Sequence, residues 1–257
     1  MIYYHQQPDN IMTNTDNKSL YADKHLILVA TYHVKAAVVL SVNNLLETIK
    51  RRPDVSLVII DSASKDGIRD YLKTIHQERV IVEYKDYNIG KPHAVNEFLA
   101  NNINENNLPK TIWSIDPDVL FDQLSFDYLA EALENLEGIG MLGMRYANNG
   151  FNPERNLFFP PKTLKGKNGK HYSLVFPFMN NVAGPIFAVQ GNLLKDPLSF
   201  RFYPIKFKTP YGPDDAALHD FLRFRGYKNG YLNGTLAKHL KTNDLYAEEI
   251  INFKETN

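Results

Sequence analysis

Asp116-Pro117-Asp118 places two carboxylates two residues apart, just past the apolar run Thr111 to Ile115, with a proline stiffening the turn between them. Such a pair can share one divalent cation that also takes phosphate oxygens and water, the surroundings that magnesium and manganese prefer. An acidic turn capping a strand end uses the same residues for no chemistry. For an isolated Asp-x-Asp that plain explanation is the commoner one, so the surroundings have to decide.

Composition narrows the choice. The 257 residues contain no cysteine, which excludes disulfide frameworks, thiolate zinc sites and cysteine nucleophiles. Any metal must then sit on oxygen or imidazole. With 29 basic and 29 acidic residues the formal charge is zero, so the chain lacks the global basic field of a dedicated nucleic-acid binder. No apolar run approaches the roughly 18 residues of a membrane-spanning helix. Met1 to Lys24 is polar and lacks the apolar centre of a signal peptide, and a cytoplasmic protein is expected.

The elements that would position Asp116 and Asp118 follow a regular alternation. Leu26 to Ala30 is a continuous apolar run, the pattern of a strand buried on both faces, and Lys35 to Lys50 is helix-compatible. Val55 to Ile60 is a second buried run, ending on Asp61. A helix over Ser64–His76, a strand at Val80–Val82, a helix over Gly90–Asn102 and a strand at Thr111–Ile115 come next. Strands and helices alternating in this way predict βαβ units and a parallel sheet. Ligands of such sheets sit at the carboxyl ends of the strands, where Asp61 and Asp116 both fall.

Beyond a helix at Leu124–Leu136 the pattern loosens. Strands are predicted at Gly140–Tyr146, Gly184–Val189 and Tyr227–Leu232, with a helix over Pro213–Arg225. The stretch Ala147–Val182 reads as a long loop region. The expectation is an α/β chain with a mostly parallel central sheet flanked by helices. It comprises a polar extension over 1–24 and one domain over 25–257, divided into a nucleotide-binding half (25–120) and an acceptor-binding and catalytic half (121–257).

Four segments of the first half resemble, in order and spacing, the GT-A fold nucleotide-sugar glycosyltransferases, in particular their large inverting group (glycosyltransferase family 2). Leu28-Val29-Ala30-Thr31-Tyr32-His33 resembles the first strand, which usually ends Pro-Thr-Tyr-Asn. Val58 to Gly67 resembles the segment Val-Val-Asp-Asp-x-Ser-x-Asp-Gly. Asn88 to Asn96 resembles Asn-x-Gly-x-x-x-Ala-x-Asn, and Trp113 to Asp118 resembles the Asp-x-Asp strand end. Ala30 and His33 depart from the usual Pro and Asn.

The resemblance implies a metal-dependent inverting transferase that moves a hexosyl or pentosyl group from a nucleotide-diphosphate donor, with UDP as the first choice. Asp61 would accept the imide hydrogen of a uracil-like base, and Thr31 and Tyr32 would line the base pocket. Gly90 would let the backbone approach the nucleotide, and Lys91 would put positive charge near phosphate. Asp116 would lie near ribose and metal, with Asp118 as the direct ligand of Mn2+ or Mg2+. Each also has a structural explanation: Asp61 as a turn residue, Gly90 as a helix start, Lys91 as a solvated charge.

In the second half Tyr211 to Leu218 resembles the family's Gly-Glu-Asp-x-x-Leu segment, with Asp214 for Glu, which makes Asp215 the general base for the acceptor hydroxyl. Asp214 and Asp215 would also complement the dipole of the helix that they open. His239 falls where many family members carry a metal-binding histidine, and imidazole suits a third ligand beside Asp118. His219, one turn beyond Asp215, either orients it or faces solvent.

The acceptor is less legible. Lys162, Lys165, Lys167, Lys170 and His171, flanked by Phe158, Phe159, Tyr172, Phe176 and Phe178, form a basic-aromatic run. Beside the site it would receive a glycan acceptor first, with a nucleic acid or a protein as alternatives. Otherwise it is a solvated hairpin with an aromatic base. Two rival activities remain at this stage: a nucleotidyltransferase, whose Gly-rich loop the Thr31–Lys35 segment lacks, and a non-catalytic nucleotide-sugar or carbohydrate-binding module.

Overall fold

The computed structural model describes residues 20–146, 160–177, 181–182, 185–195 and 214–240. In chain order the elements are β1 (His25–Thr31), α1 (Lys35–Arg51), β2 (Val55–Ser62), α2 (Ile68–Leu72), β3 (Val80–Lys85), α3 (Lys91–Asn102), β4 (Thr111–Ile115) and β5 (Val119–Phe121). They continue with α4 (Gln123–Asn135), β6 (Ile139–Tyr146), β7 (Lys162–Lys165), β8 (His171–Val175), β9 (Ile186–Gln190), a 3-10 turn (Gly191–Lys195), α5 (Asp214–Phe224) and β10 (Lys228–His239).

One sheet runs in the order β3-β2-β1-β4-β9-β6-β10-β8-β7, with β5 paired to β10. The first four strands are parallel, as the alternation predicts, and Thr31 stands opposite Asp61 at their carboxyl ends. β1 and β2 are apolar along almost their whole length because helices cover both faces. Val55, Leu57 and Ile59 of β2 pack with Val38, Val42, Leu45 and Ile49 of α1. Val58 and Ile60 face the other way, onto Ala94, Val95 and Phe98 of α3. This two-residue period fixes which strand-end side chains can share a site.

Antiparallel β9 separates β4 from β6. β10 is longer than predicted, reaching His239 rather than Leu232, and its last residues pair antiparallel with the three-residue β5. α4 begins at an N-cap, Asp122, whose carboxylate accepts from Ser125 N at 3.0 Å, and its Phe126 stacks on Trp113 with centroids 4.2 Å apart.

Three expectations are corrected. The helix predicted over Ser64–His76 is confined to Ile68–Leu72. Its first residues hold the turn after β1 instead: His33 N donates to Ser64 Oγ and Lys35 N to Asp66 Oδ2, and Gly67 has a left-handed φ of 81°. The polar extension stops short of Tyr21, which is fully buried, edge-on to Phe98. Within the predicted loop region, β7 and β8 form a hairpin whose turn is fastened to the end of α4. There Lys170 pairs with Glu131, Lys167 pairs with Glu137, and Lys167 N donates to Asn135 O. Tyr172 is its buried aromatic base, so the solvated-hairpin explanation of the basic run describes this part. Phe158, Phe159 and Phe178 lie outside the described residues.

Candidate active site

A cavity of about 470 Å³ opens at the carboxyl ends of β1, β2 and β4. Thr31, Tyr32, Gly90, Lys91, Asp116, Asp118, Asp215 and His239 all line it, although they come from strand ends and helix starts spread along the chain. Asp61 does not.

The acidic end of the cavity is built by strand pairing. β5 and β10 run antiparallel with Val119 opposite His239, and Leu240 N donates to Asp118 O at 2.7 Å. This clamp brings His239 Nε2 within 3.1 Å of Asp118 Oδ2. Asp116 is held from the other side, its N–H donating to Pro185 O at 2.8 Å. One ligand atom each from Asp116, Asp118 and His239 lies within 4.8 Å of the others. Two carboxylates and an imidazole, all partly open to the cavity, fit a manganese or magnesium ion that keeps positions for phosphate oxygen and water. Lys91 Nζ, in the first turn of α3, lies 2.7 Å from Asp116 Oδ1 and adds a positive charge beside the group.

Backbone conformations shape the rest of the rim. Gly90 precedes α3 with φ 75° and ψ 152°, a region open essentially to glycine, and its N–H donates to Asn88 Oδ1 at 2.9 Å. After β1, His33 and Val34 both have left-handed φ, 58° and 61°. For a β-branched valine this is strained, and it is held by the bonds that His33 N and Lys35 N donate to Ser64 and Asp66. The Tyr32 and His33 rings sit together at 4.1 Å, with Tyr32 39% exposed.

Asp61 is fully buried on the α1 side of the sheet. Its Oδ1 accepts from Thr31 Oγ1 at 3.2 Å, and its Oδ2 accepts from Ser64 N at 3.2 Å and Arg69 Nε at 2.6 Å. Arg69 in turn donates to Lys85 O and lies over the Tyr84 ring. The expected role for Asp61, reading a base directly, would have to use the acceptor capacity that Oδ1 keeps beside its bond from Thr31. As it stands, Asp61 fastens the turns after β1 and β2.

Asp215 is half-buried on the first turn of α5 and faces the cavity. The side chain of Asp214 lies outside the described residues. His219 is buried, which removes the solvent-facing alternative; its Nδ1 accepts from Val182 N at 3.1 Å, and burial lowers its pKa from the ordinary imidazole value. Ser62, Asn88 and Pro185 also line the cavity and were not anticipated. Ser62 was within sight, adjoining Asp61 where the resembling segment has its second Asp.

The model of the family described as "Glycosyl transferase family 2" matches residues 26–187, more than half of the chain. The chain belongs to this family. No curated protein matches it in sequence. Among solved structures, the mannosyltransferase PcManGT from Pyrobaculum calidifontis, in complex with GDP-Man and Mn2+, is similar with a TM-score of 0.61 and 17% identity over 93% of this chain. TarS (1–349) from S. aureus has a TM-score of 0.55 and 13% identity over 91%. The glucosyl-3-phosphoglycerate synthase from Mycobacterium tuberculosis, in complex with Mn2+, UDP and glucosyl-3-phosphoglycerate, has a TM-score of 0.53 and 15% identity over 98% of this chain and 83% of its own. The chain spans 66% of the mannosyltransferase's length and 64% of the TarS fragment's. At these identities the likeness is one of fold, the GT-A fold. Within family 2, the segment matched here, residues 26–187, carries Asp116, Asp118 and Lys91, while His239 and Asp215 come from β10 and α5. No described helix is long and apolar enough to cross a membrane.

Proposed function

We propose that this family 2 chain is an inverting, divalent-metal-dependent transferase that moves a hexosyl or pentosyl group from a nucleoside-diphosphate sugar, UDP first, to a hydroxyl acceptor, a glycan first. The observation that carries the reading is the meeting of Asp116, Asp118 and His239 within 4.8 Å in a cavity that Asp215 and Lys91 also face.

Asp118 and His239 would hold the cation, with Asp116 beside them. Bound there, manganese or magnesium would supply positive charge to offset that of the leaving diphosphate. Lys91 places its ammonium on the same phosphates once drawn from Asp116, a charge-assisted contact. Thr31, Tyr32 and Gly90 shape the nucleoside's walls. Asp215 takes the proton from the acceptor hydroxyl as its oxygen bonds to the anomeric carbon and the bond from that carbon to the diphosphate breaks on the opposite face. Nucleic acid and protein remain weaker acceptor choices, because the described lysines of the β7–β8 hairpin do not line the cavity.

Calorimetric titration of UDP with manganese, then with EDTA, tests the donor site. Metal-dependent binding followed by slow hydrolysis of a UDP-sugar supports the proposal. Binding without any turnover, across sugars and acceptors, would return the chain to the binding-module reading.

A further inference from the structure

Asn44 holds the short strand that follows Asp118. It lies midway along α1, partly buried, and its side-chain amide meets the main chain of Phe121 twice. Its Nδ2 donates to Phe121 O at 3.1 Å, and Phe121 N donates to its Oδ1 at 3.1 Å. The carbonyl of Asn44 takes part as well, accepting from Gln123 Nε2 at 3.1 Å, while Gln123 Oε1 accepts from Thr48 Oγ1 at 2.8 Å. A side-chain amide offers donor and acceptor together, as the backbone of a neighbouring strand would.

β5 needs such a partner. It has three residues, Val119–Phe121, and its one strand neighbour among the described residues is β10. Asp118 O faces β10, where Leu240 N donates to it at 2.7 Å. Backbone groups of successive strand residues point to alternate sides, so those of Phe121, three residues on, face away from β10 and toward α1. Phe121 is 6% exposed, and without Asn44 its N–H and C=O would be left unpaired away from water, which is costly.

The contact bears on the candidate metal site because β5 is also the strand that brings two of its residues together. Asp118 immediately precedes it, and Val119 stands opposite His239. A shift of β5 along or away from β10 changes the 3.1 Å between Asp118 Oδ2 and His239 Nε2. α1 resists that shift: it is 17 residues long, and its Val38, Val42, Leu45 and Ile49 are packed in the core. We propose that Asn44 is a positioning residue for the cation: it fixes β5 on α1 and so holds Asp118 and His239 at the separation that a divalent ion needs. Asn44 does not itself line the cavity. The inference rests on the metal-site reading above and extends it to a residue that acts through β5.

The test measures the manganese concentration that half-saturates UDP binding, together with the Tm of the ligand-free protein, in wild type, N44A and N44D. N44A is expected to need about tenfold more manganese, the usual cost of loosening groups that orient metal ligands. Once manganese is saturating, its UDP affinity returns to within about threefold of wild type. N44D keeps the acceptor for Phe121 N but turns a carboxylate toward Phe121 O. It is expected to need about threefold more manganese, although its added negative charge by itself favours a cation. Variants that lower the Tm yet bind UDP at the wild-type manganese concentration make Asn44 part of the scaffold alone and overturn the proposal. A loss of UDP affinity that saturating manganese fails to restore overturns it too. If N44A does not fold, N44D decides by the same two readings. Wild-type protein that binds UDP without manganese dependence, or not at all, overturns the metal-site reading instead, and this inference falls with it.

Discussion

His239 Nε2 lies 3.1 Å from Asp118 Oδ2 although 120 residues of chain separate them, because β5 and β10 pair with Val119 opposite His239. The two side chains are only partly buried, so the pair contributes at most about 1 kcal/mol to folding. Its purpose is better sought in what the two atoms hold together.

If that is a cation, Asp118→Asn removes manganese-dependent UDP binding altogether, and His239→Gln weakens it by about tenfold or more. Both variants keep the wild-type Tm within a few degrees. Calorimetry with and without EDTA reads the first effect and a thermal melt the second. A large fall in Tm with unchanged manganese dependence would make the pair structural.

Lys91 tests the same end of the cavity from the other side. Its ammonium is 2.7 Å from Asp116 Oδ1, and in the proposed complex it serves the diphosphate. Hydrogen bonds to charged groups are each worth about 1.5–3 kcal/mol, so Lys91→Met lowers UDP affinity by roughly ten- to hundredfold. Binding of manganese alone is not weakened, because the substitution also removes a competing cation from Asp116. Equal loss of both affinities would mean that Lys91 only orders the carboxylate.

The first half of the fold was legible because each strand of the parallel block declares itself locally. β1, β2 and β4 are apolar runs ending in Thr31, Asp61 and Asp116, and the helices between them have their own boundaries. The second half was not, because its order depends on pairings that no local pattern encodes: β9 between β4 and β6, and β5 against β10. The same distinction runs through the site. Asp116 and Asp118 could be read from their spacing, but the commitment of Asp61 to Arg69 and the hold of Asn44 on Phe121 follow from which face each residue takes and what stands there. The short helix α2 was overestimated because Ser64 and Asp66, ordinary helix-starting residues, are spent on the backbone of the β1 turn.

The Asp215 assignment predicts a separation of binding from turnover. Asp215→Asn keeps the shape of α5 and removes only the proton acceptor, so UDP binding with manganese stays within a factor of about two. Transfer falls by about 10²–10⁴, the usual contribution of a general base. Donor hydrolysis and transfer measured under saturating donor give the comparison. Transfer at the wild-type rate would remove Asp215 from the mechanism.

His219 gives the stability of the fold a pH dependence. It is buried one turn beyond Asp215, and its Nδ1 accepts the N–H of Val182, close in sequence to Pro185 on the cavity wall. Desolvation lowers its pKa in the fold, with the carboxylate of Asp220 opposing and Arg223 adding slightly to the shift. A lowered folded pKa means that the unfolded chain binds the proton more readily. The histidine's share of stability is therefore complete above the unfolded value of about 6.5 and is lost as pH falls below it. Protonation also turns the Nδ1 acceptor into a donor and breaks the bond to Val182. Denaturant unfolding at pH 7.5 and 5.5 should show the loss in wild type. His219→Gln should be less stable by about 1–3 kcal/mol at pH 7.5 and show a smaller change between the two pH values. The carboxylate of Asp54, held at about 2 chiefly by its bond to Arg52, titrates well below this window and does not mask the effect. A variant whose stability falls between the two pH values as steeply as that of wild type would place the titrating group elsewhere.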